Sequence, residues 1–125
     1  MDLTRAAHYY ERGCEAGSAH GCGSLGVLRF YGHGVPADSA GGLDALTRGC
    51  DGRYGQACAN LGVIYALGRS VEVDTVRGAE LFERGCALGS ALGCSSRCDL
   101  CAVHALPRCG ACGDLSGAGR EIEGQ

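Results

Sequence analysis

The chain has no lysine and no tryptophan, and only two prolines and one methionine among 125 residues. The missing lysine excludes most. Serine enzymes built on Ser-x-x-Lys and Lys-Thr-Gly need that amine, and here nothing can supply it. No apolar run approaches the roughly 20 residues that span a bilayer, so the sequence predicts no membrane-spanning helix. Charge is thin as well: net −3, with the arginines scattered among the acids. Nucleic acid and anionic membranes are held by a concentrated basic face, so neither is expected as a partner. His8, His20, His33 and His104 are dispersed and form no His-x-His or His-Glu-x-x-His pattern. His8 and His20 read as surface residues and His33 as a loop residue. Met1-Asp2-Leu3-Thr4-Arg5 lacks the charged and apolar regions of a signal peptide.

What is abundant is glycine, with 23 residues, and cysteine, with ten. The cysteines are ordered. Arg12-Gly13-Cys14 is followed by Cys22, Arg48-Gly49-Cys50 by Cys58, and Arg84-Gly85-Cys86 by Cys94, each unit 36 residues after the last. A fixed period repeated three times in so short a chain marks a repeat architecture. The length allows one domain with a modest core.

Residues 4–16 read as a helix, with Thr4 able to cap its first turn and Ala6, Ala7, Tyr10, Gly13 and Cys14 at helical spacing. Gly17-Ser18 breaks it. A second helical pattern runs from Ala19 to Tyr31 through Cys22, Leu25, Gly26 and Leu28. A turn-rich connector, Gly32 to Asp38, leads to Ser39, which can cap the next helix. The second unit repeats the plan with Leu43, Leu46, Gly49 and Cys50, then Cys58, Leu61, Gly62, Ile64 and Tyr65. The third opens with Ala79, Phe82, Gly85 and Cys86. Glycines recurring in register at 13, 49 and 85, and at 26 and 62, each cost about 1 kcal/mol inside a helix. Their positions therefore predict close helix–helix approach. After Cys94 the pattern fails.

Leu25-Gly26-Val27-Leu28 with Tyr31-Gly32-His33-Gly34-Val35, and Asn60-Leu61-Gly62-Val63-Ile64-Tyr65 with Gly68 and Val71, resemble Sel1-like repeats, relatives of the tetratricopeptide repeat. The cysteine pair in each unit is similar to the cysteine-rich branch, which includes Helicobacter cysteine-rich proteins often labelled β-lactamases. The resemblance covers about residues 4–94. It implies an all-α solenoid of helical hairpins, about two and a half repeats, with units near 5–40, 41–76 and 77–97. The repeat domain is expected over 4–97, followed by a divergent cysteine- and glycine-rich tail over 98–125. The resemblance also implies disulfides Cys14–Cys22, Cys50–Cys58 and Cys86–Cys94. Helix geometry agrees, since a short turn brings the end of one helix and the start of its partner within disulfide reach. Metal binding by these pairs is disfavoured, because one hairpin offers two thiolates and structural zinc takes four ligands.

Disulfides persist in oxidising compartments, which points to a periplasmic or secreted protein and to an upstream segment that this sequence does not show. The β-lactamase label implies hydrolytic or penicillin-binding activity, but the chain lacks the lysine and the clustered histidines for that chemistry. The resemblance leaves a zinc- or heme-handling accessory protein as a further alternative. In the tail, Cys98-x-x-Cys101 and Cys109-x-x-Cys112 are the only candidate metal ligands, for zinc. Extra disulfides, a redox Cys-x-x-Cys, or a shifted reading frame from about residue 97 are the competing readings. The leading functional expectation is a scaffold binding a protein or peptide on the concave face of the stack. The first-helix residues His8, Tyr9, Asp44 and Glu80 are its candidate contacts.

Overall fold

The computed structural model describes residues 2–103. They form α1 (Leu3–Glu15), α2 (Ala19–Tyr31), α3 (Ser39–Asp51), α4 (Gly55–Leu67), α5 (Thr75–Ala87) and α6 (Ala91–Val103), with no strand among the described residues. Consecutive helices pair as three hairpins, α1–α2, α3–α4 and α5–α6.

Aspartates set the starts of the first helices. Asp2, Asp38 and Asp74, one per 36-residue unit, accept hydrogen bonds from the first-turn amides of α1, α3 and α5. The Gly41 amide, for example, donates to Asp38 Oδ1 at 2.9 Å. Thr4 and Ser39, the expected caps, lie one or two residues too late. Thr4 Oγ1 instead donates to the Gly34 carbonyl at 3.0 Å, and Ser39 Oγ pairs with Ser70 Oγ at 3.0 Å. The carboxylates sit at the N-cap position itself, where their charge also suits the positive end of the helix dipole. Ser18 caps α2. α2 and α4 end on left-handed Gly32 and Gly68 (φ 73° and 68°), the usual device for satisfying terminal carbonyls.

Inside each hairpin the turn needs one left-handed residue. Glycine fills that place in the first and third (Gly17, φ 95°; Gly89, φ 97°), whereas the second uses Arg53 at φ 76°. A side chain there is strained, because its Cβ crowds the backbone.

Hairpins stack by packing α2 on α3 and α4 on α5, the most extensive helix contacts in the molecule. Small residues permit this approach. A Cβ placed on Gly49 would lie 2.8 Å from the Gly23 amide nitrogen, and one on Gly85 would lie 2.9 Å from the Gly55 carbonyl oxygen. The in-register glycines of the sequence thus mark the junctions between repeats. The main apolar cluster centres on the middle hairpin, with Leu46, Cys50, Ala57, Cys58, Leu61 and Ile64 joined by Phe30 from α2.

The third hairpin departs from the expectation at its end. The period fades after Cys94, yet α6 is 13 residues long like the others and continues through Cys98 and Cys101 to Val103. The physical reason is that helix continuation needs no matching of the repeat. Ser95, Ser96, Arg97, Asp99 and Leu100 contain no proline or glycine to interrupt it. Cys109, Cys112 and His104 lie outside the described residues.

Candidate functional site

The cysteines of each repeat sit in the last turn of a first helix and the first turn of its antiparallel partner. They are joined as Cys14–Cys22, Cys50–Cys58 and Cys86–Cys94, with Cα separations of 4.4, 4.6 and 4.5 Å. All three bridges close within a hairpin, so none ties one repeat to another. Cys98 and Cys101, two of the candidate zinc ligands, are also disulfide-bonded. A sulfur in a disulfide has no thiolate to offer a metal. Among the described residues, no group of three or more His, Cys, Asp or Glu side chains could hold a metal ion.

Second helices and first helices form two different rows. α4 touches both α2 and α6 directly, whereas α1, α3 and α5 make no comparable contact with one another. Along the closer row lie two depressions. The first, about 270 Å³, is bounded by Val27 and Leu28 of α2, Gln56 and Asn60 of α4, and the rings of Tyr10 and Tyr54. The second, about 320 Å³, lies one repeat further on between Val63 and Leu67 of α4 and Ser96, Asp99 and Leu100 of α6, above Phe82. At the C-terminal ends of α2 and α4, Tyr31 and Leu67 occupy equivalent positions and are both exposed. Arg69 donates to the Tyr31 hydroxyl at 2.9 Å with its guanidinium 5.7 Å from the ring centroid. A row of rings, Tyr10, His20 and Tyr54, closes the N-terminal end, with centroids 5.9 and 4.9 Å apart.

The four residues expected to contact a partner are all on first helices. His8, Asp44 and Glu80 are equivalent positions, one per repeat, and each is exposed. His8 lies 3.9 Å from Glu11, and Asp44 lies 4.0 Å from Arg48. They are therefore spread along the outside of α1, α3 and α5 and are not gathered around a common cavity. Tyr9, 74% exposed, lines a depression of about 450 Å³ at the N-terminal end of the stack. The sequence did contain a signal for the closer row. Ser24 and Asn60, and Tyr31 and Leu67, recur at the 36-residue period as polar and large apolar pairs.

Two rows of short helices, three disulfides that join the paired helices of each hairpin, and small residues at the repeat junctions define a disulfide-pinned α/α solenoid. The Sel1 repeat profile matches residues 2–18, 19–43 and 55–90. The chain belongs to the Sel1 repeat family. Among solved structures it is similar to a Sel1 repeat protein from Oxalobacter formigenes, at 22% identity and a TM-score of 0.74, over 82% of this chain and 42% of that one. It is also similar to c5321, a protective antigen of uropathogenic Escherichia coli with an SLR fold. That match has 32% identity and a TM-score of 0.70, over 78% of this chain and 21% of the antigen. Helicobacter pylori cysteine-rich protein B matches at 27% identity and a TM-score of 0.66, over 72% of this chain and 68% of that one. The chain thus spans less than half of the first of these proteins and about a fifth of the second. No curated protein matches it.

Proposed function

We propose that this chain is a binding scaffold that takes an extended peptide segment of another protein along the α2–α4–α6 row. The observation that carries this reading is the pair of depressions along the second-helix row, the second lined by exposed Leu67, with Tyr31 exposed at the equivalent place on α2. Solenoids present extended concave binding surfaces, and α2, α4 and α6 are the row whose helices touch one another. Ser24, Gln56 and Asn60 offer hydroxyl and amide groups that hydrogen-bond a peptide main chain. Val27, Leu28, Val63 and Leu100 offer apolar ground for its side chains. The preferred ligand is accordingly an extended segment with apolar residues at intervals and no strong charge. The His8, Tyr9, Asp44 and Glu80 row is the competing contact surface of the same scaffold.

The three bridges support an oxidising compartment, periplasmic or extracellular, as the working location. Among the described residues no helix is long and apolar enough to cross a membrane.

Selection of the purified oxidised chain against a displayed peptide library tests the reading. Selected peptides are expected to lose tenfold or more in affinity against Tyr31→Ala, Leu67→Ala or Asn60→Ala, and to bind His8→Ala and Asp44→Ala unchanged. The opposite pattern would move the site to the first helices. Failure to enrich any peptide would remove the peptide-binding reading.

A further inference from the structure

The two depressions along the second-helix row differ in charge. Ser24, Val27 and Leu28 of α2 recur at the 36-residue period as Asn60, Val63 and Ile64 of α4, and as Ser96, Asp99 and Leu100 of α6. A carboxylate thus stands in α6 where both earlier repeats carry valine. Among the described residues, no acidic or basic side chain lines the first depression. The second, about 320 Å³, holds Asp99 on otherwise apolar ground, with Val63, Leu67 and Leu100 around it and buried Phe82 beneath. Asp99 is exposed, and its carboxylate makes no ion pair among the described residues. Arg69, which follows the end of α4, donates instead to the Tyr31 hydroxyl at 2.9 Å.

Three effects favour a cation at this place. Apolar walls exclude water that would screen the carboxylate, so its field is stronger than on an open surface. Leu67 is the last residue of α4, so the depression also borders the negative end of that helix's dipole. Ser96 lies one turn before Asp99 on the same face of α6, and its hydroxyl can accept a further hydrogen bond. Resting on the peptide-groove reading above, we infer that the second depression takes one arginine side chain of the bound segment. Its guanidinium meets Asp99 and Ser96, and its methylene stem lies on Val63, Leu67 and Leu100. Arginine suits the site better than lysine. Its planar head donates in parallel to both oxygens of a carboxylate, while the stem covers apolar surface. The uncharged first depression takes an apolar residue. The segment therefore has a fixed polarity on the row, apolar between α2 and α4 and basic between α4 and α6.

Peptides selected from a displayed library on the full oxidised chain are expected to share an arginine at one position. Replacing that arginine by citrulline keeps its shape and removes its charge. By isothermal titration calorimetry the change should cost tenfold or more in affinity for the parent chain. Against Asp99→Asn, an exposed substitution that leaves helical circular dichroism as in the parent, the arginine and citrulline peptides should bind within twofold of each other. Asp99→Arg should reverse the preference, so that a glutamate at that position binds better than the arginine. Selected peptides that bind tightly without a shared arginine overturn the inference and leave the peptide groove standing. So does a citrulline penalty that is as large in Asp99→Asn as in the parent. Selection of no peptide at all removes the groove and the inference together.

Discussion

The middle hairpin and the two that flank it share one sequence plan and have different surroundings. In the middle, Leu46, Cys50, Cys58 and Ile64 are at most 1% exposed. Tyr10 in the first hairpin, equivalent to Leu46, is half-buried, as are Leu28 and Leu100, equivalent to Ile64. Cys14 and Cys22 are buried on the first hairpin, but Cys86 and Cys94 on the third are only partly so. Burial here depends on how many repeats stand alongside a residue more than on the residue type. Such a stack is stabilised by nearest-neighbour interfaces, and its centre has two of them.

The comparison is tested most severely by Leu46→Ala. Removing a fully enclosed leucine is expected to cost about 2–5 kcal/mol, measured as a lowered urea midpoint. Tyr10→Ala should cost markedly less, and equal losses would abolish the distinction between centre and end. Next come the bridges. Each closes a loop of the same length, worth about 2–3 kcal/mol in the chain-entropy account, so replacing either pair by serine should lower stability by that order. The difference lies in access. Under limiting reductant, followed by alkylation and mass spectrometry, Cys86–Cys94 is expected to open before Cys50–Cys58, and the reverse order would contradict the burial gradient. Smaller again is the paired substitution Gly49→Ala and Gly13→Ala. The first forces a methyl against the α2 backbone and should destabilise by about 1–3 kcal/mol. The second makes only ordinary contacts, at 3.8 Å to Gly21 and Ser18, and should stabilise α1 by about 0.5–1 kcal/mol. Thermal melts that moved the same way for both would show that the packing around Gly49 and Gly13 does not differ. Last, Arg53→Gly gives the middle turn the residue its neighbours use and should raise stability by about 1 kcal/mol. No change in the thermal midpoint would mean that Arg53 carries no strain.

Much of this arrangement could be read from the chain. The 36-residue spacing of Arg-Gly-Cys located the hairpins, and helical periodicity gave α2 its bounds of Ala19 and Tyr31. The in-register glycines foretold the close junctions, because a helix interior tolerates glycine at a cost that packing must offset. Helix starts were misjudged because both a hydroxyl and a carboxylate can cap. Which one does so depends on the path of the connector, seen in the reach of Thr4 to Gly34 and of Ser39 to Ser70. The end of α6 was hidden for a different reason. Repeat matching measures likeness to the other units, whereas helix formation needs only an uninterrupted local pattern. The closer spacing of the second-helix row was only faintly legible, since it arises from three-dimensional stacking and leaves the Ser24–Asn60 and Tyr31–Leu67 recurrences as its trace.

The eight-residue separation of every mapped cysteine pair bears on how the chain acquires its bonds. Closing a loop of about ten residues takes on the order of 10–100 ns, so two partner thiols meet far more often than thiols of different repeats. As synthesis proceeds, each pair is complete before the next hairpin has emerged. For Cys14–Cys22 and Cys50–Cys58 the right partner is then also the nearest one in the chain, whereas Cys94 has Cys98 and Cys101 closer to it than Cys86. The first two bridges should therefore form in order from the N-terminus with little reshuffling, and the third is the one open to competition from its neighbours.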